Sequence, residues 1–357
     1  MSSTLKIATF NCENLFKRPK VLNLRDYDKA RGILNEIEAL QALLCKRNYT
    51  PQDKRDISKK VKDLSPWLFV SQDRGKLFNR RGQVVANGVG EWDGAITLKT
   101  ESFSEMVRKN TAKVMKAVEA DIQCLIEVED RSAVQRFSSE MLKKDGFQYN
   151  MVIDGNDQRG IDVGLYSRRP IGLIKTHIFD VGDDGRKIFS RDCLEVEVRL
   201  PGDQPLYLLI NHFKSKGWGK PEASDAKRRD QAKVVAKILG SYNLNKDYVV
   251  VAGDLNDTPE SDPLHPLMAA KGLSDVLEMQ FSDQKDRWSY HYKKNEQIDY
   301  LLISDAMKSK LKEAGVFRRG MPDIEKNTVS GEKPLIPDMK PSDSASDHGA
   351  VWATFSI

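Results

Sequence analysis

Apolar residues alternate along the chain between short continuous runs and helical spacings. The runs predict strands because they are four to eight residues long and end on polar or turn residues. These strands are expected within 5–11, 121–130, 162–170, 193–200, 206–213, 247–257, 297–304 and 349–357. Three- and four-residue spacings predict helices over 104–120 and 225–242. Strands with intervening helices indicate an α/β fold of two packed sheets with helices outside.

The segment after the first strand has a different pattern. Ala30, Ile37 and Leu44 belong to an apolar series at helical steps, and TPQD follows it. Thr50 is a candidate N-cap because Pro51 suits the first helical position and an acid stands three residues after the threonine. The pattern predicts two helices joined as a hairpin.

A β-hairpin is predicted next, over WLFVSQDRGKLFNRRGQVVANG (67–88), from two alternating runs around a glycine-containing turn. Arg74, Lys76, Arg80 and Arg81 lie in it. They either face a phosphate-bearing ligand or form a solvated surface, which is the commoner case. We interpret residues 1–357 as one domain interrupted at about 17–105 by an insertion, since 357 residues are many for one domain.

Composition excludes some classes of protein. The mean hydropathy is −0.53, no apolar run is long enough to span a bilayer, and MSSTLKIATF lacks a cleavable apolar segment, so we expect a cytoplasmic protein. The four cysteines have no metal-ligand spacing and are expected to be reduced and structural. A net charge of +5 suits a polyanionic or phosphorylated partner without requiring one.

Polar side chains recur where the predicted strands end. Asn11 and Glu127 end two of them, Asp254 and Asn256 end a third, and Asp347 with His348 opens the last. Any one of these has an ordinary explanation, because polar residues are common at strand ends. Their recurrence favours a site for a hard divalent cation such as Mg²⁺, which prefers carboxylate and amide oxygens.

Seven segments carry a family resemblance. In chain order they are TFNCENLF, CLIEVED, RGIDVGLYSRRPI, NHFKSK, GDLNDTPESDPL, QIDYLLIS and SDHGAV. Together they resemble the endonuclease/exonuclease/phosphatase superfamily, the group of deoxyribonuclease I-like metal-dependent phosphoesterases, over about 4–16 and 106–357. The resemblance implies a four-layer α-β-β-α sandwich of two mixed sheets, with the active site at one end of the sheets.

The resemblance also implies roles for individual residues. The metal ligands are Asn11, Glu127 and Asp347, and the cofactor is Mg²⁺ or Mn²⁺. The catalytic residues are His212, Asp254, Asn256, Asp299 and His348. Among these, Asp254 orients or deprotonates water and Asp299 orients His348. Weaker matches give Lys214, Arg191 and Asp162 as substrate- or phosphate-binding residues.

The sequence therefore predicts a hydrolase that attacks a phosphodiester with activated water, either a nuclease or another phosphodiesterase. A phosphomonoesterase of the same superfamily is the alternative, and a catalytically idle binding module is a third reading that the complete residue set disfavours. The expected partner is a phosphodiester substrate, with nucleic acid as one candidate. The insertion and the long segment 317–346 are expected to select the substrate.

Overall fold

The computed structural model describes residues 4–15, 17–24, 26–102, 104–157, 159–217, 220–327 and 332–357. Its strands are β1 Thr4–Leu15, β2 Lys17–Pro19, β3 Leu68–Val70, β4 Arg74–Gly75, β5 Trp92–Asp93, β6 Ile96–Leu98, β7 Thr100–Ser102, β8 Ile122–Val128, β9 Tyr149–Ile153, β10 Asp162–Ser167, β11 Ile171–Lys175, β12 Cys193–Arg199, β13 Pro205–His212, β14 Tyr248–Asp254, β15 Leu273–Asp275, β16 Tyr290–His291, β17 Asn295–Glu296, β18 Asp299–Ser304, β19 Leu311–Phe317 and β20 Ala350–Ser356. Its α-helices are α1 Tyr27–Leu44, α2 Pro51–Asp63, α3 Glu105–Val118, α4 Arg131–Phe137, α5 Pro221–Leu239, α6 His265–Met268, α7 Val276–Gln280, α8 Asp305–Lys308 and α9 Ile324–Asn327.

The chain forms two compact units. The first, called here the sandwich unit, comprises Met1–Phe16, Phe103–Lys216 and Glu222–Ile357. The second, called here the inserted unit, comprises Lys17–Ser102 and Gly217–Pro221. The sequence thus leaves one unit after the first strand, builds another, and then completes the first.

Two six-stranded mixed sheets form the centre of the sandwich unit. Their strand orders are β19-β20-β1-β8-β10-β9 and β11-β12-β13-β14-β18-β15. Fully buried apolar side chains from both sheets share one core, for example Ile7 and Cys124 from the first and Leu208 and Val250 from the second. The expectation of an α/β sandwich of two mixed sheets is confirmed.

Alternation along the strands decides which side chains reach the space between the sheets. In β1, Leu5 and Ile7 belong to the core between the sheets, whereas Ala8 and Phe10 belong to the cluster beneath α3. Because side chains on a strand alternate with a period of two, Asn11 continues the inward row of Leu5 and Ile7. The row that begins as hydrophobic core therefore ends in a polar side chain.

Helices cover the outer faces of both sheets. The predicted helix over 104–120 is α3, whose first turn is capped by the Ser104 hydroxyl accepting from the Met106 backbone N–H. The predicted helix over 225–242 is α5, which packs Val235 and Leu239 on the second sheet. Its buried face also includes the polar side chains of Arg228 and Gln231, which the apolar spacing did not indicate.

In the inserted unit, α1 and α2 are the two predicted helices. The Thr50 side chain accepts from the Asp53 backbone N–H and the Asp53 carboxylate accepts from the Thr50 N–H, which completes the expected capping box. The unit has its own apolar core, which includes Leu40, Ile57 and Leu77.

The β-hairpin predicted over 67–88 is present only in its second half, and its first run pairs elsewhere. The run Leu68–Val70 pairs with Ile96–Leu98, and Arg74–Gly75 pairs with Trp92–Asp93, both antiparallel. Within the predicted hairpin, the bridge between Phe78 and Val84 is closed by backbone bonds from the Asn79 N–H to the Gln83 carbonyl at 3.0 Å and from the Val85 N–H to the Leu77 carbonyl at 2.8 Å. The turn was recognised, but the partner of the first run lies beyond the segment, because strand pairing is not encoded by alternation alone.

Two expectations from composition concern the described residues. None of the helices there is both long and apolar enough to cross a membrane. The cysteines are unpaired: Cys12, Cys124 and Cys193 are buried, and Cys45 is exposed.

Candidate active site

Three strands of the second sheet place polar side chains next to one another. In the parallel ladder of β13 and β14, His212 is the partner of Asp254, and in the antiparallel ladder of β14 and β18, Asp254 is the partner of Asp299. Aligned residues on neighbouring strands project to the same face of a sheet. All three continue inward rows of apolar residues, so they meet between the sheets.

A glycine permits this close arrangement. Gly253 has φ of 132°, and a Cβ at this position would lie 1.9 Å from the Asn211 carbonyl oxygen on the neighbouring strand. No other residue type fits both the backbone conformation and the space. In the GDLN motif, the glycine is thus required by backbone conformation and space, and the aspartate is the residue that contributes to the polar cluster.

Asp254 is the centre of the cluster. Its Oδ2 accepts a hydrogen bond from Asn11 Nδ2 at 3.1 Å, and its Oδ1 accepts from the Asn256 backbone N–H at 2.8 Å. The Nε2 atoms of His212 and His348 lie 3.7 and 4.0 Å from Asp254 Oδ2. Two imidazoles therefore flank one buried carboxylate.

Glu127 reaches the same cluster through a bulge. In the ladder with β10, Val163 pairs with Ile126 and Asp162 with Val128, so Glu127 is the extra residue between them. Its φ is 61°, a left-handed conformation that a glutamate adopts only where the surroundings hold it. A bulge redirects a side chain, and Glu127 Oε1 lies 3.7 Å from His212 Nε2.

His348 is held by Asp299 and Ser289. Nδ1 of His348 lies 2.8 Å from Asp299 Oδ2, and the Ser289 hydroxyl donates to the same oxygen at 2.7 Å. The Tyr290 ring packs against the imidazole with 4.8 Å between centroids. Because a carboxylate only accepts hydrogen bonds, Nδ1 carries a proton and Nε2 faces Asp254.

The pKa values of the two histidines are shifted in opposite directions. Burial, together with the positive charges of Arg191 and Arg159, holds the pKa of His212 well below its usual value. Burial also opposes a charge on His348, but the carboxylates of Asp299 and Asp347 outweigh it and hold its pKa well above the usual value. The environment of His212 thus favours the neutral imidazole, and that of His348 favours the imidazolium.

Burial and the Asp299 carboxylate raise the pKa of Asp254 to about 7. A carboxyl group with such a pKa can accept a proton near neutral pH and release it again. Paired titratable groups whose environments separate their pKa values are typical of acid–base catalysis.

Arg191 belongs to a buried cluster of charges beside His212. Its Nε lies 3.0 Å from Asp157 Oδ2, and Arg159 contacts the same carboxylate through Nε at 2.8 Å and Nη2 at 2.5 Å. Arg191 Nη1 also donates to the Phe213 carbonyl at 3.3 Å, next to His212. Two guanidinium groups share one carboxylate, so the cluster has a net positive charge.

The remaining predicted residues differ in their placement. Asn256 has φ of 56° and donates from Nδ2 to the Phe213 carbonyl at 3.2 Å, and Asp347 Oδ1 lies 3.8 Å from His348 Nε2. The backbone N–H of Lys214 donates to Gln231 Oε1 at 2.9 Å. Asp162 accepts from the Gly155 backbone N–H at 2.7 Å, and burial raises its pKa to about 7.

Several residues that contact the cluster are not indicated by any sequence pattern. Ser289 lies ten residues before Asp299, Asp157 connects two arginines, and the Ser346 hydroxyl donates to the Asn11 carbonyl at 2.7 Å. Serine and aspartate in loops are too common to indicate such contacts. Part of the predicted substrate-selecting segment 317–346, residues 328–331, lies outside the described residues.

The donor groups fit a hard cation. Asp254, Asp299 and His348 each offer a ligand atom within 4.8 Å of the others, but the nearest atoms of Asp299 and His348 are already hydrogen-bonded to each other. The carboxylate of Glu127, by contrast, accepts no hydrogen bond from any described residue, and its side chain is 18% exposed. An acceptor without a protein donor at a bulge suits Mg²⁺ or Mn²⁺.

The fold and these side chains define a deoxyribonuclease I-like α/β sandwich with a polar site between the sheet ends. The profile of the Endonuclease/Exonuclease/phosphatase family matches residues 87–321, more than half of the chain. The chain belongs to this family, which confirms the resemblance of the motifs. Enzymes of this superfamily are divalent-metal-dependent hydrolases of phosphoester bonds.

Solved structures agree on the fold. The endonuclease/exonuclease/phosphatase of Bacteroides vulgatus is 12% identical with a TM-score of 0.51, covering 99% of both chains. That of Beutenbergia cavernae is 19% identical with a TM-score of 0.51, over 70% of this chain and 66% of the other. Humanized TDP2 of D. rerio is 16% identical with a TM-score of 0.50, over 71% and 92%. A search of curated proteins finds no match.

Proposed function

We propose that the protein hydrolyses phosphodiester bonds with a water molecule activated beside Asp254. The observation that supports this most is the convergence of His212, Asp254 and the His348–Asp299 pair on the inner face of one sheet edge. This set can activate water and oppose the charge that develops on the phosphoryl oxygens.

Asp254 is the proposed general base. Its raised pKa lets it take a proton from water as the water oxygen attacks phosphorus, and the bonds from Asn11 and Asn256 fix its plane. The phosphorus–oxygen bond to the leaving alcohol breaks as the new bond forms, which yields a phosphomonoester and an alcohol.

The cationic and neutral donors have separate roles. His212, neutral at Nε2–H, donates to a non-bridging oxygen, and the Arg191–Asp157–Arg159 cluster adds positive potential beside it. His348, held as an imidazolium by Asp299, donates to an oxygen whose charge grows as the leaving bond breaks. These donors are in place before the reaction begins, because each is fixed by a hydrogen bond or by burial.

Glu127, Asn11 and Asp347 are the proposed ligands of a divalent cation, which when bound supplies Lewis-acid stabilisation of the transition-state charge. Asn256, Lys214 and Asp162 stay as proposed phosphate- or substrate-contacting residues. Their side chains lie on loops or strand ends of the same sandwich unit.

The balance of charges favours a diester over a monoester. Five carboxylates surround the site, at Glu127, Asp157, Asp254, Asp299 and Asp347, and three cations oppose them, at Arg159, Arg191 and His348. One divalent cation offsets the difference and leaves little positive charge. A singly charged diester is easier to accommodate there than a doubly charged monoester.

The test is a panel of substrates with Mg²⁺, Mn²⁺ or chelator. DNA, RNA, bis-p-nitrophenyl phosphate and p-nitrophenyl phosphate separate nuclease, general diesterase and monoesterase activities. Diester hydrolysis that disappears with chelator and with Glu127→Gln, and persists in the exposed control Glu140→Gln, supports the proposal. A preference for the monoester, or full activity of Glu127→Gln, would refute it.

A further inference from the structure

The inserted unit carries all of the positive excess of the chain. Residues 17–102 contain 18 Lys and Arg against 11 Asp and Glu, whereas the rest of the sequence contains 39 against 41. The +5 of the whole protein is therefore not spread over both units. A separate unit with such an excess is the electrostatic signature of a surface for a polyanion.

The exposed side of α2 is a basic stripe. Arg55, Lys59 and Lys62 follow one another at steps of four and three residues, so they share a face, and that face is opposite the buried side chains of Asp53 and Ile57. The stripe is about 10 Å long at 1.5 Å per residue, which is about three nucleotide steps of one DNA strand.

A rigid turn adds two arginines beside this stripe. Asn79 Oδ1 accepts from the backbone N–H groups of Arg81 at 2.9 Å and Gln83 at 3.0 Å, and Gly82 has φ of 75°. These contacts fix the turn that carries Arg80 and Arg81 at its exposed tip. The bridge between Phe78 and Val84 closes the turn at its base.

The turn and the helix are in contact. The Val84 backbone N–H donates to the Ser58 hydroxyl at 3.3 Å, and Val84 and Ile57 belong to the same apolar core. Ser58 lies on the flank of α2 next to the stripe, whereas Asp56 and Asp63 lie on the other flank by helical geometry. The base of the turn that carries the two arginines is thus held against the flank of α2, and the basic face is defined here as Arg55, Lys59, Lys62, Arg80 and Arg81.

The basic face is not neutralised by ion pairs. Lys46 is paired with Asp53, Lys60 with Glu36, and Lys54 donates to Asn87, all elsewhere on the unit. Within the described residues, no ion pair involves Lys59, Lys62, Arg80 or Arg81. Solvated cations that are held near one another without ion pairs to protein carboxylates gain from binding phosphates, because binding releases the counterions of the nucleic acid.

We infer that the basic face of the inserted unit binds the sugar–phosphate backbone of nucleic acid substrates. This inference deepens the proposed function and rests on it, since it assigns a substrate class to the diesterase. The site does the chemistry, and the inserted unit supplies sequence-independent affinity. One chain carries both units, so a bound strand stays at a raised local concentration for the hydrolytic site.

The test compares two variants of the full chain with identical charge and residue changes. Lys59→Gln, Arg80→Gln and Arg81→Gln alter the basic face, and Lys29→Gln, Arg31→Gln and Arg47→Gln alter exposed residues outside it. Binding of a fluorescent single-stranded oligonucleotide is followed by anisotropy over a range of potassium chloride concentrations. Chelator is present, so that no hydrolysis occurs, and circular dichroism checks that both variants are folded.

We expect the basic-face variant to bind about tenfold or more weakly at low salt and its salt slope to fall by about 2, for three lost phosphate contacts. The control should keep the slope of the wild type. Equal losses in both variants, or none in either, would overturn the inference. A third result would also overturn it: the wild type binds anionic phospholipid vesicles, the basic-face variant loses this vesicle binding, and both proteins bind the oligonucleotide equally well. Because hydrolysis is not measured, failure here is separate from failure of bis-p-nitrophenyl phosphate hydrolysis.

Discussion

Two aspartates that are largely shielded from solvent have pKa values shifted in opposite directions. Asp53 of the inserted unit closes the capping box of α2 with the N-cap Thr50, and the hydrogen bonds from Lys46 and Thr50 lower its pKa to about 2. Asp254 of the sandwich unit is buried beside Asp299, and its pKa is raised to about 7. One carboxylate is satisfied by cationic and backbone donors, and the other is held near like charge.

This difference in pKa shift reflects how each unit uses its polar side chains. In the inserted unit, polar groups complete helix ends and many of the remaining charged side chains are exposed. In the sandwich unit, polar groups end the inward strand rows, where burial shifts their proton affinities. Such shifts are costly for folding and useful for catalysis.

The largest expected effect on kcat comes from the His348–Asp299 pair, whose two residues are expected to act together. His348→Ala should lower kcat for a diester by about 10³-fold and Asp299→Ala by about 10²-fold, because the imidazole then loses its charge and orientation. The double variant should be close to His348→Ala alone. Steady-state kinetics of the four proteins measure this cycle, and losses that multiply would show two independent residues.

The sequence indicated most of the strands of the two central sheets, and the strand-end residues, because both depend on local patterns. Apolar runs locate β1, β8, β14 and β18, and the polar residues at or near the ends of the first three runs, Asn11, Glu127 and Asp254, mark the edge of the sheets. These patterns do not show which rows of side chains on neighbouring strands lie next to each other. It depends on register, and the alignment of His212, Asp254 and Asp299 is visible only in the ladders.

Other parts could not be predicted because they depend on long-range contacts or on single-residue irregularities. The bulge that redirects Glu127 changes the strand by one residue and leaves no sequence signature. The four edge strands of the two sheets, β9, β11, β15 and β19, were not predicted, because an edge strand is only partly buried and its apolar run is interrupted by polar residues or glycine. The pairing of β3 with β6 spans the whole second half of the inserted unit.

Removal of the insertion tests whether the inserted unit contributes to substrate binding and not to the chemistry. β2 and β7 pair with Lys17 opposite Ser102, so the two chain ends of the insertion are adjacent and a short Gly/Ser linker can replace 22–98. We expect DNA cleavage to fall about tenfold or more and hydrolysis of bis-p-nitrophenyl phosphate to stay within about threefold, because remote binding energy matters only for the large substrate.

Kinetics on both substrates with the trimmed and full-length proteins measure this division. Circular dichroism and metal binding serve as controls for folding. A trimmed protein that is folded and binds metal but has lost all activity on the small diester would mean that the insertion contributes to the chemistry.

The smallest expected effects are shifts in apparent melting temperature of the metal-free protein. Because the folded pKa of Asp254 is raised above the ordinary 3.8, its ionisation costs the folded state stability as pH rises from about 4 to about 7. Asp254→Asn should therefore melt a few degrees higher than the wild type above pH 7, and this gain should vanish near pH 4.

Asp53→Asn is the opposite case. The folded pKa of Asp53 is lowered, so its ionised form stabilises the protein above the ordinary pKa of 3.8, and this contribution is lost as pH falls toward 2. The variant should melt lower than the wild type above pH 4, with a deficit that shrinks in acid. Scanning calorimetry across pH measures both variants, and shifts of the same sign would remove the contrast between the two carboxylates.

The most direct measurement of the central claim is the turnover of bis-p-nitrophenyl phosphate by wild type and Asp254→Asn with Mg²⁺, after chelation, and after Mg²⁺ is restored. We predict that the wild type loses activity with chelator and regains it, whereas Asp254→Asn stays folded and at least about 10³-fold slower throughout. Hydrolysis that is indifferent to chelator, or an Asp254→Asn variant as fast as the wild type, would contradict the assignment of the chemistry to this site.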